Sequence, residues 1–165
     1  MNQRHPHAPG WRSALIGVKG YMVKFRAKRK LNGNWVYGSY IQIGDDWCQI
    51  IPAGTEYDDI HNMMMRVITE TVGVWTGLFD KNRNEIYEGD IIRTQYYTDR
   101  PYSKKSKSKQ HIGVVVYKIG LGTAEWDVEI ADTGRYGCSN WGAFYDCEVI
   151  GNIHENKDLL NVASK

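Results

Sequence analysis

Residues Thr71–Arg93 read TVGVWTGLFDKNRNEIYEGDIIR, and two turn signals lie inside this strand-like stretch. Thr76, Gly77, Leu78, Phe79 and Asp80 run into a polar turn at Lys81 to Asn84; Glu88, Gly89 and Asp90 then turn the chain into the apolar pair Ile91-Ile92. Short strands punctuated in this way belong to small twisted barrels. The stretch therefore fixes architecture before it says anything about chemistry.

Upstream, Tyr21, Val23, Phe25 and Ala27 alternate with Met22, Lys24 and Arg26, the two-residue period of a half-buried strand. Asn32-Gly33-Asn34 supplies a turn, Trp35 to Ile43 has strand chemistry, and Gly44-Asp45-Asp46 turns it into Trp47 to Ile51, completing a three-stranded meander. Ile60, Met63, Met64, Val67 and Ile68 then fall at helical spacing behind Asp58 and Asp59 as caps, whereas Val67 to Val72 is rich in β-branched residues. The expectation is one or two helical turns around His61 to Arg66, then strand, with the methionines filling core.

Downstream, strands are expected at Ile91–Tyr97, Ile112–Tyr117, Trp126–Ile130 and Ala143–Ile150, with a helical turn within Asn156–Val162. Alternation puts Trp126 on the buried face with Val128 and Ile130. The fold class is mainly β: an N-terminal β-meander packed on a C-terminal SH3-type small barrel, with little helix. The organisation expected is a flexible N-terminal extension over 1–20, a β-rich subdomain over 21–70, an SH3-like barrel over 71–156 carrying a basic loop at 98–111, and a tail over 157–165.

A chain of 165 residues can bury a single core or two small ones, and its 42% hydrophobic and 24% charged residues rule out wholesale disorder. Six Trp and eleven Tyr against three Phe favour pleated, half-wet surfaces, which again points to β structure. A net charge of +2 implies no partner by itself. Cys48, Cys138 and Cys147 are odd in number, lack metal-type spacing and follow no secretory leader, so they are expected to be reduced in a cytoplasmic protein. No apolar run approaches the roughly 20 residues that span a bilayer.

Candidate chemistry is sparse. Glu85, Glu88 and Asp90 could converge as carboxylates, but capping of a tight turn accounts for them better. Asp58, Asp59 and His61 read as a solvated loop or helix cap, and His5 and His7 as a terminal arm rather than metal ligands. Ser139 beside Cys138 lacks a nucleophile-elbow context, and His111 and His154 sit in no supporting motif. No phosphate-binding fingerprint occurs, and nothing calls for a catalytic residue, a metal or a cofactor. Trp126, Trp141 and Tyr145 could line an aromatic cleft.

The strongest charge feature is the run from Arg100 to Lys109, where Arg100, Lys104, Lys105, Lys107 and Lys109 surround Tyr102. Such a run would attract a phosphate backbone and stack one base, without reading sequence. Its alternative is a solvated loop that keeps the protein soluble and blocks edge pairing.

The ordered set formed by Phe25-Arg26-Ala27, Thr76-Gly77-Leu78, Asp80-Lys81-Asn82, Ile86 to Ile91 and Val149-Ile150-Gly151-Asn152-Ile153 resembles the YopX-like family of phage and prophage proteins. The resemblance spans roughly Met22 to Leu160 and marks Thr76, Gly77, Asp80, Glu88, Gly89 and Asp90 as a structural motif. It implies a phage or mobile-element origin, an SH3-like C-terminal part and no established biochemical activity. The chain departs from the family at Arg83, where Gly is common, at Val74, and in the Lys-rich segment, which looks like an insertion. The leading functional expectation is a non-catalytic protein-interaction or self-assembly module, as a homo-oligomer or with a protein partner. A sequence-independent nucleic-acid binder is the alternative, an unrecognised hydrolase the second alternative, and no membrane partner is expected.

Overall fold

The computed structural model describes residues 23–44, 47–97, 108–120, 122–131, 144 and 146–162. Two antiparallel sheets organise them. The first joins β1 (Phe25–Lys28), β2 (Trp35–Ile43), β3 (Trp47–Pro52), β4 (Met65–Arg66), β5 (Gly73–Phe79) and β6 (Glu85–Tyr87), in the order β4-β3-β2-β1-β5-β6. The second joins β7 (Asp90–Tyr97), β8 (Ser108–Gly120), β9 (Thr123–Ile130) and β10 (Glu148–Asn152), in the order β10-β7-β8-β9. Among the described residues the helical elements are α1 (Ile60–Met63), α2 (Asp158–Val162) and 3-10 turns at Tyr57–Asp59 and Thr69–Thr71, and Phe144 is also helical. The mainly β expectation is met.

Each sheet has its own apolar cluster. Ala27, Val36, Cys48, Ile50 and Val67 are buried in the first, with Phe25, Tyr40, Met65 and Val72 packed on them. Ile86, Ile92, Val115, Val128, Ile130, Phe144 and Cys147 form the second, with Leu78, Trp126 and Val149 against it. Leu78 and Ile86 belong to β5 and β6, so the β5–β6 hairpin pairs with the first sheet and contributes to the core of the second. Trp126 is half-buried on this second core, on the side expected from its alternation with Val128 and Ile130.

Several expectations need correction. Among the described residues neither sheet closes: β10 and β9 are the two edges of the second sheet, so the SH3-type barrel is not realised as a closed sheet. The first strand spans Phe25–Lys28, with Val23 exposed and Arg26 buried, because both faces of β1 are covered. Val67 to Val72 is not a continuous strand. Val67 makes an isolated bridge to Arg29, and Thr71 closes a 3-10 turn whose hydroxyl donates to the Ile68 carbonyl (2.6 Å) and accepts from Lys28 N–H (2.9 Å). That local side-chain bonding competes successfully with strand pairing. Asp59 occupies the α1 cap position without a side-chain cap bond, and Met63 is exposed whereas Met65 packs on the core.

The β7–β8 pairing extends to Tyr97↔Ser108, so residues 108–111, expected in the basic loop, are strand. The last strand is Glu148–Asn152 rather than Ala143–Ile150, and the terminal helical turn forms at Asp158–Val162 within its expected range. β5 pairs with β1 through Phe25↔Val74 and Arg26↔Gly73, so a sheet crosses the expected boundary between 70 and 71. The 1–20 extension and residues 163–165 of the tail lie outside the described residues.

Candidate functional site

Period-two alternation on and just before β1 puts Lys24, Arg26 and Lys28 in one row, and each meets an acid from a different later segment. Lys24 Nζ lies 2.6 Å from Glu85 of β6, Arg26 Nη2 2.5 Å from Asp90 of β7, and Lys28 Nζ 2.9 Å from Glu155 beyond β10. The Lys24 link stays with the first sheet, while Arg26 and Lys28 tie that sheet to β7 and to the segment after β10. Arg26 and Asp90 are the buried members, with side chains 9% and 1% exposed.

Around Arg26 the junction is aromatic. Its guanidinium carbon sits 4.9 Å from the ring centres of both Trp35 and Tyr87, and Tyr37 meets Tyr87 edge-on at 5.6 Å. Cation–π contact and two flanking planes suit arginine, whose delocalised charge is weakly hydrated. Arg26 Nη2 also donates to the Glu88 carbonyl at 3.2 Å, while Asp90 accepts the Tyr87 N–H at 2.8 Å. Burial pushes the Asp90 carboxyl upward; Arg26 and the Tyr87 amide oppose that shift. Burial and the hydrogen bond to Glu85 raise the Tyr87 phenol, which stays protonated and donates to Glu85 at 2.7 Å.

The motif residues explain themselves one by one. Asp90 caps the turn begun by Tyr87, as expected, and Gly89 supplies its left-handed residue at φ 79°. Glu88 contributes its carbonyl to Arg26. Thr76 Oγ1 donates to the Ile86 carbonyl (2.9 Å) and accepts from Leu78 N–H (3.1 Å), spanning a register shift in the β5–β6 pair that contains Gly77.

Asp80 accepts from Asn82 N–H, Asn84 N–H and the Asn84 side chain within its own turn, and from Val149 N–H of β10 at 3.1 Å. Burial opposes its charge, but these donors outweigh burial and hold its carboxyl below the usual range. Arg83 in that turn has φ 66°, a left-handed backbone that favours Gly.

A second polar knot follows β10. Asn152 Oδ1 accepts from His154 and Glu155 N–H, its amide donates to Glu155 at 2.9 Å, and Asn156 Oδ1 accepts from Asn152 N–H. Trp35 Nε1 also donates to Glu155 at 3.1 Å. The hydrogen bonds from Asn152, Lys28 and Trp35 hold the Glu155 carboxyl down at about 2. His154 lies 6.0 Å from the Trp35 ring, and burial, then Arg26 and Lys28, depress its imidazole. Sequence reasoning marked the 151–156 segment only as family resemblance; the Asn-x-x-Glu-Asn spacing is the signal for its self-capped turn.

Among the described residues, the chemistry-bearing candidates do not converge. The Cys147 thiol is pushed up to about 11 by burial and by Asp80, which leaves it a protonated core residue. Cys48 is buried and free, and accepts the Tyr40 hydroxyl at 3.0 Å. Glu85, Glu88 and Asp90 each serve the junction, while His111 lies on β8 opposite Thr94. Among the described residues no group of three His, Cys, Asp or Glu is placed to hold a metal, and no helix is long and apolar enough to cross a membrane. A depression of about 470 Å³ is lined by Arg29, Trp35, Tyr37, Pro52, Ala53 and Met65.

Leu31 in the β1–β2 turn and Val23 before β1 are exposed singly, whereas two hairpin ends carry exposed apolar groups together. At the end of β8–β9, Ile119 is 79% and Tyr117 48% exposed, with Tyr117 packed edge-on against Trp126 at 4.9 Å. At the β2–β3 end Ile43 and Trp47 are exposed, and Arg66 lies 4.0 Å over the Trp47 ring. Of the expected nucleic-acid contacts, Arg100, Tyr102, Lys104, Lys105 and Lys107 lie outside the described residues, as do Trp141, Tyr145, Cys138 and Ser139. Lys109 lies in β8 opposite Tyr96.

Among solved structures, the crystal structure of protein EF1440 from Enterococcus faecalis is similar, with 23% identity, 84% of this chain and 98% of that chain covered, and a TM-score of 0.48. No curated protein matches. The model of the family described as YopX protein matches residues 24–161, a span that holds the cation row, the Asp80 turn and the Asn152 knot. The chain belongs to the YopX family.

Proposed function

We propose that this protein is a non-catalytic protein-interaction module whose contact element is the β8–β9 hairpin. The observation that carries the reading is the apolar group at that hairpin, exposed Tyr117 and Ile119 beside the half-buried Trp126, on a ribbon whose base is anchored in the second core through Val115 and Val128. An aromatic-rich apolar group on a rigid support is the usual anchor of a protein interface, because ordering it on binding costs little entropy. The described polar residues of the signature are engaged within the fold, and the β8–β9 hairpin differs from the β2–β3 end in that no cation is stacked on its exposed ring among the described residues.

Tyr117→Ser/Ile119→Ser tests the reading, because both side chains are solvent-exposed and their loss should leave the melting temperature unchanged. Wild type and variant are compared by light scattering across concentration and by in-cell crosslinking. Self-association or a crosslinked protein partner that the variant loses supports the module; the same associations in both, or none in either, contradicts it.

A second reading has its own observation. The described pairing of β7 and β8 runs as far as Tyr97↔Ser108, on either side of the basic segment in sequence, and Lys109 lies in β8 opposite Tyr96. Cations concentrated there would bind phosphate backbones without sequence preference. Fluorescence anisotropy with mixed-sequence single-stranded DNA, duplex DNA and RNA tests it: binding weakened by salt and absent when Lys104, Lys105, Lys107 and Lys109 are Ala supports it, and no binding at low salt removes it.

A further inference from the structure

We infer that β9 is an edge for β-strand addition and that its occupant is an extended segment of a partner protein with cationic and apolar residues in alternation. The inference rests on the interaction-module reading and gives it a site and a partner chemistry. Among the described residues β9 pairs only with β8, so the outer N–H and C=O groups of this eight-residue strand face no other described strand. Such a row is a template for another chain.

The side chains along β9 choose the partner. One face carries Glu125, Asp127 and Glu129 at strict period two, with Lys118 the cation facing them from β8 across from Glu125. Asp127 is 1% exposed; its Oδ1 accepts the Val128 N–H at 2.7 Å, while its Oδ2 has no hydrogen-bond donor among the described residues and lies 3.7 Å from Lys118 Nζ. A buried carboxylate oxygen without an aligned donor gains from an added cation. The opposite face carries Ala124, Trp126, Val128 and Ile130, and the register sets Trp126 beside Tyr117 and Ala124 beside Ile119. An added strand would lay cations along the edge acids and apolar residues beside Ala124 and Trp126.

The same acids argue against a second copy pairing through this edge. Antiparallel β9–β9 pairing centred on Asp127 sets Asp127 against Asp127 and Glu125 against Glu129, which places like charges directly opposite. Three acids on an edge strand therefore exclude self-pairing while admitting a basic partner.

The test uses the full chain and a labelled peptide as long as β9 with Lys and Val in alternation. Controls are the same peptide with a central Pro, which removes a ladder donor, and a Glu–Val alternating peptide. The protein variant is Glu125→Lys/Glu129→Lys, which leaves buried Asp127 in place and whose fold is checked by thermal melting. By anisotropy the Lys–Val peptide should bind wild type at least about tenfold more tightly than either control, and the variant should reverse the charge preference.

Binding that survives the proline and the charge reversal, or no binding at about 1 mM peptide, overturns the proposal. So does a wild-type dimer that Glu125→Lys/Glu129→Lys dissolves, because the occupant would then be a second copy. If the peptide fails while Tyr117→Ser/Ile119→Ser still removes a partner, the β9 edge is wrong and the interaction module stands. If both fail, the module falls too.

Discussion

Arg26 Nη2 lies 2.5 Å from Asp90 Oδ1 across 64 positions of sequence, and the two side chains are the buried members of the cation row and its acids. Nη2 carries two N–H groups, so the guanidinium faces the Asp90 carboxylate while it also donates to the Glu88 carbonyl. Removing one partner strands the other charge in a dry setting. Arg26→Ala and Asp90→Ala should each lower unfolding free energy by about 3–5 kcal/mol. Asp90→Asn should cost less than Asp90→Ala, because the amide oxygen still caps Tyr87 N–H and spares about 1–3 kcal/mol. Urea unfolding of the three variants checks both the size and the order.

Glu155 gives the junction its acid sensitivity. Its folded carboxyl is held at about 2 against an ordinary 4.5, so the folded state binds fewer protons than the unfolded chain between those values. The contribution is full above the unfolded value and fades as pH falls through the folded one. Melting temperatures of wild type should drop between pH 5 and pH 2, and Glu155→Gln should show a shallower drop with a lower plateau at neutral pH. Equal slopes in the two proteins would remove Glu155 from the account.

The Asp80 turn contains a residue poorly suited to its backbone. Arg83 sits at φ 66°, where a side chain with Cβ is strained and Gly is not. Arg83→Gly should stabilise the protein by about 0.5–1 kcal/mol, the relief exceeding the added freedom of the unfolded chain. Asp80→Ala should act in the opposite direction, by about 2–4 kcal/mol, since it leaves donors of Asn82, Asn84 and Val149 without their acceptor. Denaturant midpoints with unchanged slopes would establish both signs.

Gly151 tests close approach at the knot. A Cβ there would lie 2.6–2.9 Å from three atoms of the Asn156 side chain, whose Oδ1 holds the Asn152 N–H. Gly151→Ala should cost about 1–3 kcal/mol by displacing that side chain. Loss of the cost in an Asn156→Gly background would identify the clash as its source, read from the same unfolding curves.

Much of this fold could be read directly along the chain. The Gly89-Asp90 turn, the strand from Ile91 and the alternation Trp126, Val128, Ile130 depend on neighbours in sequence, and they formed as expected. The alternation around Arg26 gives a half-buried strand, and period two separates faces without saying which are covered; here Arg26 is buried against Asp90 of the second sheet. Trp35 and Glu155 are 120 positions apart, so their bond follows only from the packing of the sheets. Val67 to Val72 has strand propensity, yet the Thr71 hydroxyl bonds locally and bends it into a turn. Neither the exposure of Tyr117 and Ile119 nor the edge position of β9 is written in local pattern, because both depend on strand order.

The central claim is that the signature residues build the junction while the β8–β9 hairpin binds. Its most direct test measures folding and association together in wild type and Tyr117→Ser/Ile119→Ser, by thermal melting and by in-cell crosslinking with light scattering. The expected result is an unchanged melting temperature and loss of the crosslinked partner or assembly. An unchanged association in the variant, with the fold intact, would contradict the account.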